Sequence, residues 1–241
     1  MSNNYGKSGQ VHRRDFVKGA AGIAAAGAAG IGSASLLGAS EPVISKGRIN
    51  QSIAYWCFNV AGDKWDVAQQ CQVAKKLGCK SVELVDHKDF GILKKHGLLC
   101  AISPNGMPGA PFMTGLNNPR YQGEVVSRTI KAIDMNADAG CPNVIAFNGY
   151  KWHDAEDENS GEIPKDEGAR NCVKALKTLA APAEKKGVTV CLEQLNTRDD
   201  THPMKGHLGY QGDHIDYVAD IVKAVGSPNV KLLFDIYHVQ V

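Results

Sequence analysis

The sequence predicts an α/β fold built on a parallel sheet, which either a (β/α)8 barrel or an open doubly wound sheet would satisfy. Short apolar runs typical of buried strands alternate with segments of helical periodicity. Several helical segments end at a glycine that precedes the next apolar run, as at Gly78, Gly140 and Gly187. Glycine is favoured there because it adopts the left-handed conformation that ends a helix. No G-x-G-x-x-G follows the first run, which disfavours a dinucleotide-binding sheet.

The first 40 residues differ in composition from the rest and predict an export signal. Arg13 and Arg14 form a twin-arginine motif, which an Ala- and Gly-rich stretch follows. A membrane-spanning helix is the weaker interpretation, because that stretch has few large apolar side chains. We therefore expect a Tat signal peptide over 1–40, export to the periplasm by the Tat translocase, no stable membrane anchor and a globular domain over 41–241.

Six strands are predicted in the globular part, at 52–57, 81–85, 98–102, 144–147, 188–192 and 230–234. Helical periodicity is clearest over 65–77, 126–137 and 173–180, and Pro182 predicts a break or kink near the end of the last of these helices. A closed barrel needs eight strands and about 250 residues. The sequence ends at Val241, shortly after the sixth strand, with no helix expected to cover that strand. We therefore expect a truncated chain that lacks the last two βα units.

Three long connections are predicted after the third, fourth and fifth strands, over 105–120, 149–164 and 194–213. All three would lie at the carboxyl ends of the strands, where barrel enzymes bind their substrates. The first connection is rich in glycine and proline and contains Phe112 and Met113. It is a candidate cover for a site at this edge.

Charge and cysteine content exclude several classes of protein. The leader carries a net charge of +3 and the whole chain +2, which leaves about −1 for the globular part. A near-neutral domain without a basic run argues against nucleic acid or an anionic membrane surface as a partner.

Seven cysteines occur without a C-x-x-C pair, mostly inside apolar runs. This pattern favours buried free thiols over a disulfide framework or a zinc site.

Two of the predicted strands end in a carboxylate. Glu193 follows the run 188–192, and Asp235 follows the run 230–234. The carboxyl ends of parallel strands form the ligand crevice of α/β proteins. A carboxylate at the edge of an apolar core is costly unless it is paired, hydrogen-bonded or bound to metal, and oxygen ligands suit a hard divalent cation. The pair therefore predicts a metal site.

The residues around these carboxylates resemble a known family. L-E-x-L-N-T-R-D over 192–199 and F-D-x-Y-H over 234–238 are similar to motifs of hydroxypyruvate isomerase, in the xylose isomerase-like TIM-barrel superfamily of sugar isomerases and epimerases. The resemblance extends from about Asn50 to Val241. It implies a (β/α)8 TIM barrel of the xylose isomerase-like type, here incomplete, with about six of the eight βα units.

The resemblance also implies a reaction and a site. A divalent metal, Mg or Mn, would be held by four side chains at strand ends, of which Glu193 and Asp235 are two and the others belong to the seventh and eighth strands. The substrate would be a small hydroxy-carbonyl compound or sugar, and hydroxypyruvate would be converted to tartronate semialdehyde through an enediolate. Glu193 would transfer the proton, His238 would contact a substrate oxygen, Arg198 would pair with a substrate carboxylate, and Asn148 would line the pocket.

Other interpretations of these residues remain open. Glu193 could cap a helix or pair with Arg198, and Arg198 fits a surface salt bridge equally well. Structural roles also suit His238, Asn148 and Trp56. Glu83, which is expected inside the second strand, is a weak pocket candidate. Three histidines of the 194–213 connection are interpreted as solvated loop residues and not as metal ligands: His202, His207 and His214.

Two other functions remain open from the sequence. One is a ketose 3-epimerase, which would use the same metal geometry with a different pocket. The other is a noncatalytic carbohydrate-binding or inactive barrel. A DNA-repair endonuclease of the same superfamily is disfavoured by the near-neutral charge and the predicted export. A homo-oligomer is left open.

Overall fold

Strands and helices alternate along the part of the chain that the computed structural model describes, residues 48–201 and 205–241. The predicted signal segment 1–40 and His202 lie outside the described residues. In chain order the elements are β1 Ser52–Ala54, α1 Trp56–Asn59, α2 Val67–Leu77, β2 Ser81–Glu83, a 3-10 turn His87–Asp89, α3 Phe90–Lys95, α4 Pro119–Ala139, β3 Asn143–Phe147, β4 Trp152–Asp154, β5 Asp157–Glu162, α5 Lys165–Lys186, β6 Thr189–Glu193, α6 Ile215–Val225, β7 Val230–Leu233 and α7 Ile236–Gln240.

The parallel strands follow one another in space in chain order, as in a (β/α)8 barrel. β1 pairs with β2, and β3, β6 and β7 pair in that order, all in parallel. The segment 98–103 joins the two groups through parallel bridges from Leu99 to Ser81 and from Ser103 to Val144. The α/β barrel class predicted from the sequence is therefore confirmed.

The predicted strand over 98–102 is only partly correct. Its backbone pairs at both ends, where Val82 N–H donates to Leu99 O at 3.1 Å and Ile145 N–H donates to Ser103 O at 3.0 Å. Between these points the Asn143 side-chain amide donates to Ala101 O at 2.8 Å. Leu84 N–H also donates to Ile102 O at 2.8 Å. The segment therefore pairs through isolated bridges and does not form a regular strand.

The two faces of the sheet bury different clusters, because side chains alternate along each strand. Val144 and Ala146 of β3 and Val190 and Leu192 of β6 face the helices, where they pack with residues of α4, α5 and α6. Ile145 and Phe147 lie on the inner face, in a cluster with Leu195 and Tyr210. Glu193 is the register partner of Phe147 and so shares the inner face.

The helix α5 runs through Pro182 without the predicted break. Proline removes one backbone donor, and the turn beyond it is held by other bonds. Gly187 N–H donates to the carbonyls of Ala183 and Glu184, with Gly187 in the left-handed conformation at φ 68°. Val188 N–H also donates to Ala183 O at 3.0 Å.

Two predicted irregular segments contain secondary structure. The 149–164 connection forms the antiparallel hairpin β4–β5, whose polar sequence lacks the apolar alternation that predicts strands. Its backbone is held by side chains, since Asp154 N–H donates to Ser160 Oγ at 2.8 Å and Asn118 Nδ2 donates to Trp152 O at 3.2 Å. The helix α7 begins three residues after β7 ends, at a place where the sequence predicted no helix. The predicted absence of the last two βα units stays a prediction.

The cysteines of the described residues are free thiols, as predicted. Five are buried, one is intermediate and Cys57 is exposed. Among the described residues, the longest apolar helices fall short of what a membrane span requires.

Candidate active site

Glu193 ends β6 on the inner face of the sheet and is only 9 % exposed. Its pKa is raised to about 8, chiefly by burial and further by the negative charges of Asp235 and Glu83. Glu83 at the end of β2 and Asp235 just after β7 therefore lie close enough for their charges to act on Glu193. Such a group is unfavourable without a compensating positive charge or proton.

Asp235 follows the strand that pairs with β6. Glu193 is in register with Leu233, the last residue of β7, and Asp235 lies two residues later, at the start of α7. One oxygen, Oδ1, accepts from Tyr237 N–H at 2.8 Å and so caps α7. The other, Oδ2, lies 3.9 Å from His238 Nε2. Asp235 thus combines a helix-capping role with a second oxygen that is turned towards His238.

Glu83 joins the site more directly than the sequence indicated. It ends β2 and does not lie inside it, because the strand stops at Glu83. Burial raises the pKa of Glu83, and its charge acts on Glu193. The sequence pattern of an acid at the end of an apolar run does not identify Glu83, because Leu84 and Val85 continue the run beyond it.

His238 lies in the first turn of α7 and is buried, with 8 % exposure. Burial lowers its pKa, although the nearby Asp235 acts in the opposite direction. Its Nδ1 accepts hydrogen bonds from Asn196, through the backbone N–H at 3.2 Å and the side-chain Nδ2 at 2.8 Å. The residue is therefore tied to the connection that follows β6 while its other nitrogen faces Asp235.

His207 is buried and packs near His238, so the prediction that it is a solvated loop residue is wrong. It is 5 % exposed, and its ring centroid lies 4.2 Å from that of Phe112 and 5.7 Å from that of His238. The connection folds back on itself here, since His207 N–H donates to Asn196 O at 2.8 Å. Burial, followed by the charge of His238, lowers the pKa of His207 to about 4. His214 is exposed, as predicted.

Arg198 is exposed and is directed at the end of α7, where its Nη1 donates to Val241 O at 3.2 Å. It shares a cavity of about 130 Å³ with His238. The residues lining that cavity, within the described part of the chain, include neither Glu193 nor Asp235. The structure therefore does not bring the Arg198 guanidinium to the carboxylates.

The Asn148 side chain is turned away from the inner face of the sheet, on which Glu193 lies. Asn148 is fully buried, and its Nδ2 lies 3.4 Å from the Cys172 Sγ of α5, so that its side chain faces the helix layer. Trp56 begins the short helix α1 and is 39 % exposed. Side chains alternate between the two faces of the sheet along β3, so Asn148 lies on the face opposite to Phe147. Its burial is therefore explained by packing against the helices.

Tyr210 was not identified from the sequence, and it holds the ends of two central strands together. It is 2 % exposed. Its hydroxyl accepts from Asn148 N–H and donates to Glu193 O, both at 2.8 Å. No sequence pattern predicts this, since Tyr210 lies in a long connection far along the chain from Asn148. The bond fixes the backbone from which the Glu193 side chain extends.

The carboxylates fit part of a metal site. Oxygen donors at adjacent strand ends suit a hard divalent cation, and a cation would offset the charge that burial makes costly at Glu193. Within residues 48–201 and 205–241, no three or more His, Cys, Asp or Glu side chains are arranged so as to hold a metal ion. Glu193 and Asp235 therefore fit as two ligands of a larger set.

A protein-family model described as "Xylose isomerase-like TIM barrel" matches residues 71–241 of the chain. The chain is also 36% identical over 101 residues to a 2-oxo-tetronate isomerase of Cupriavidus necator. That alignment covers 40% of this chain and 36% of the relative, so the chain aligns with about a third of that enzyme.

Solved structures resemble the fold at low sequence identity. A D-psicose 3-epimerase from Clostridium cellulolyticum, determined with D-tagatose, is 16% identical with a TM-score of 0.57, over 80% of this chain and 65% of that one. The IolI protein, determined with a bound zinc atom, is 15% identical with a TM-score of 0.58, over 79% of this chain and 64% of that one. These similarities concern the fold.

Proposed function

The chain belongs to the xylose isomerase-like TIM barrel family, a superfamily of isomerases and epimerases, and we propose from this premise that it is a metal-dependent isomerase. The proposed reaction interconverts an α-hydroxy ketone and an α-hydroxy aldehyde, with hydroxypyruvate as the substrate and tartronate semialdehyde as the product. The observation that carries the proposal is the buried Glu193, grouped with Asp235 and Glu83 at the carboxyl end of the barrel.

The relative of known activity supports a 2-oxo acid as the substrate. Its name identifies a 2-oxo-tetronate as the compound that it isomerises. Hydroxypyruvate is the three-carbon compound of the same chemical class, with a carboxylate, a 2-oxo group and an adjacent hydroxyl. The two reactions would require the same movement of one proton between neighbouring carbons.

Glu193 and Asp235 would hold the metal ion, magnesium or manganese in this proposal. When bound, such an ion supplies positive charge beside the two substrate oxygens on which negative charge develops. The zinc atom of the IolI protein supports metal binding by this fold. The identity of the metal rests on the preference of carboxylate oxygens for hard cations.

The residues of the chain account for the proton transfer. The Glu193 carboxylate accepts the proton from the hydroxyl-bearing carbon of hydroxypyruvate and returns it to the neighbouring carbon. The proton of the substrate hydroxyl passes to the former ketone oxygen, so that the first carbon becomes the aldehyde and the second carries the hydroxyl. His238 donates a hydrogen bond to the substrate oxygen that becomes negative in the enediolate. Phe112 and Phe147, whose ring centroids lie 6.5 Å apart, limit the access of water to this intermediate.

Proton exchange tests this function directly. Purified protein with MgCl2 and hydroxypyruvate in D2O is expected to incorporate deuterium and to form tartronate semialdehyde, both followed by proton NMR. Glu193→Gln removes the proton acceptor, so it is expected to lower the rate by at least about 100-fold. Glu158→Gln, at an exposed glutamate of the β4–β5 hairpin, is the matched control and retains the rate. Equal rates for the two variants would contradict the assignment of Glu193.

A ketose 3-epimerase is the second candidate, and the position of Arg198 favours it. An acid substrate would pair with a guanidinium, whereas Arg198 donates to Val241 O. A neutral ketose does not need such a partner. Activity on D-fructose or D-tagatose without activity on hydroxypyruvate would reverse the ranking. Binding of Mn²⁺ without turnover of any of these compounds would favour the noncatalytic barrel.

Export through the Tat pathway is proposed from Arg13 and Arg14. Cell fractionation of the tagged chain tests it. The double substitution Arg13→Lys with Arg14→Lys keeps the charge and removes the twin-arginine motif, so it is expected to retain the protein in the cytoplasm. A periplasmic fraction that the double substitution does not change would overturn this proposal.

A further inference from the structure

The Asn196 side chain uses every hydrogen-bonding position that an amide offers. It lies three residues beyond the end of β6 and is 3 % exposed. Its Nδ2 donates to Lys205 O at 2.7 Å and to His238 Nδ1 at 2.8 Å. Its Oδ1 accepts from the backbone N–H groups of Arg198 and Asp199, both at 3.2 Å. An amide has two N–H donors and one oxygen with two lone pairs, so Asn196 is fully satisfied.

The partners of Asn196 determine the orientation of its amide. Two of them are backbone N–H groups, which only donate, and a third is a backbone carbonyl, which only accepts. Turning the amide over would place its oxygen against Lys205 O and its N–H groups against two other donors. The Asn196 Nδ2 group therefore faces His238 as a donor.

This orientation decides where His238 carries its proton. The Nδ1 atom of His238 receives the Asn196 Nδ2–H and also the Asn196 backbone N–H, at 3.2 Å. An atom that receives two donors must present its lone pair, and a neutral imidazole carries one proton. The proton is therefore on Nε2. The Nε2 atom lies 3.9 Å from Asp235 Oδ2, so the protonated nitrogen is on the side of the ring near this carboxylate. At that distance Nε2 and Asp235 Oδ2 are not hydrogen-bonded.

We propose that Asn196 is a positioning residue that holds the His238 imidazole in the Nε2-protonated tautomer, with that proton directed towards the carboxylates and the substrate. The kinetic consequence rests on the proposed isomerase function, whereas the tautomer does not. In the reaction His238 is then ready to donate from Nε2 to the oxygen that becomes negative. With the other tautomer, Nε2 would present a lone pair to that oxygen and would repel it.

Nitrogen NMR of the full chain labelled with ¹⁵N-histidine tests the tautomer. The His238 signals are assigned as those that His238→Gln removes. We expect a pyridine-like Nδ1 and a pyrrole-like Nε2 in the wild type at neutral pH, with or without MgCl2. A pyrrole-like Nδ1 in the wild type would overturn the proposal, and this result does not depend on any variant or on activity.

Asn196→Asp tests the cause of the tautomer. An aspartate offers acceptors in place of the Nδ2 donor, so we expect His238 Nδ1 to become protonated. Asn229→Asp is the matched control, because the Asn229 Nδ2 also donates to a backbone carbonyl, Val188 O at 2.9 Å, outside the site. It is expected to leave the His238 signals unchanged. An unchanged His238 spectrum in folded Asn196→Asp would contradict the proposal.

The kinetic test uses hydroxypyruvate with MgCl2. Asn196→Asp is expected to lower kcat by about 100-fold, the lower end of what one positioned proton donor contributes, and to change KM less. In combination with His238→Gln it should cause no further loss, since it acts through His238. Independent losses in the double variant would show that Asn196 acts otherwise. If no variant and no wild-type protein turns over hydroxypyruvate, the proposed function fails while the NMR result still decides the tautomer.

Discussion

Burial decides which of the histidines in the long connection after β6 can take part in the site. His207 and His214 have similar sequence surroundings, and the structure buries the first and exposes the second. The imidazole of His207 packs on Phe112 at a centroid distance of 4.2 Å. The difference arises from contacts between distant parts of the chain, and it changes the ionisation of His207.

The burial of His207 predicts a stability that depends on pH. Its pKa is about 4 in the folded chain and about 6.5 in an unfolded one. Between these values the unfolded chain binds a proton that the folded chain does not, so the free energy of unfolding falls as the pH decreases from 6.5 to 4. The free energy of unfolding is expected to fall by about 3 kcal/mol in total between pH 6.5 and pH 4.

Urea denaturation at pH 7, 5.5 and 4 measures this effect. His207→Gln is expected to lose less stability than the wild type over this range, because glutamine does not titrate. His153→Gln, at an exposed histidine of β4, is the control and should follow the wild type. The same pH dependence in His207→Gln and in the wild type would contradict the prediction.

At the scale of elements, replacing two glycines inside long helices with alanine is expected to change stability in opposite directions. Gly123 of α4 has open space where a Cβ atom would be, whereas a Cβ at Gly168 of α5 would clash with the Gln211 side chain. Gly123→Ala is expected to raise the free energy of unfolding by about 0.5–1 kcal/mol, through helix propensity alone. Gly168→Ala is expected to lower it by about 1–3 kcal/mol, because the buried Gln211 must move. Chemical denaturation of both variants checks the signs, and stabilisation by Gly168→Ala would refute the clash.

The hydroxyl of Tyr210 connects the ends of β3 and β6. Tyr210→Phe leaves Asn148 N–H and Glu193 O without this partner in a buried place. The expected cost is about 1–3 kcal/mol in the free energy of unfolding. Tyr55→Phe, at a half-buried tyrosine after β1, is the control and should change stability by less than about 0.5 kcal/mol. A Tyr210→Phe variant as stable as that control would show that the connection between the strands does not depend on the hydroxyl.

At the scale of the whole molecule, the barrel gathers acids that are far apart in sequence. Glu83 and Glu193 end parallel strands and Asp235 follows a third, and the charges of Glu83 and Asp235 raise the pKa of Glu193. Repulsion of this kind opposes folding, and a bound cation would remove it. Metal binding and the stability of the fold are therefore expected to be coupled.

Thermal unfolding with Mn²⁺ tests this coupling. At a metal concentration 100 times the dissociation constant, the folded chain should gain about 2.7 kcal/mol, seen as a higher Tm. Glu193→Gln and Asp235→Asn should each lose most of this gain, because each removes a charged ligand. Glu158→Gln should keep it. A Tm that rises equally with Mn²⁺ in all four proteins would show that the ion binds elsewhere.

Much of the fold was predictable because it is encoded locally. Apolar runs, helical periodicity and glycines at helix ends indicated the parallel strands and the helices between them. The exceptions depended on contacts that no local pattern records. The segment 98–103 pairs only through isolated bridges, α5 continues through Pro182, and the hairpin β4–β5 forms from a polar sequence.

The sequence by itself determined a parallel α/β fold, and the resemblance of its motifs to a known family narrowed that fold to a barrel. It also placed Glu193 and Asp235 after the ends of strands, because strand periodicity and chain order place the carboxyl ends of parallel strands at one edge. Only the tertiary structure decided that Glu83 joins them, that Asn148 faces the helices and that Asn196 orients His238. These features depend on which side chains meet across distant segments, and burial then sets their charge and their hydrogen bonds.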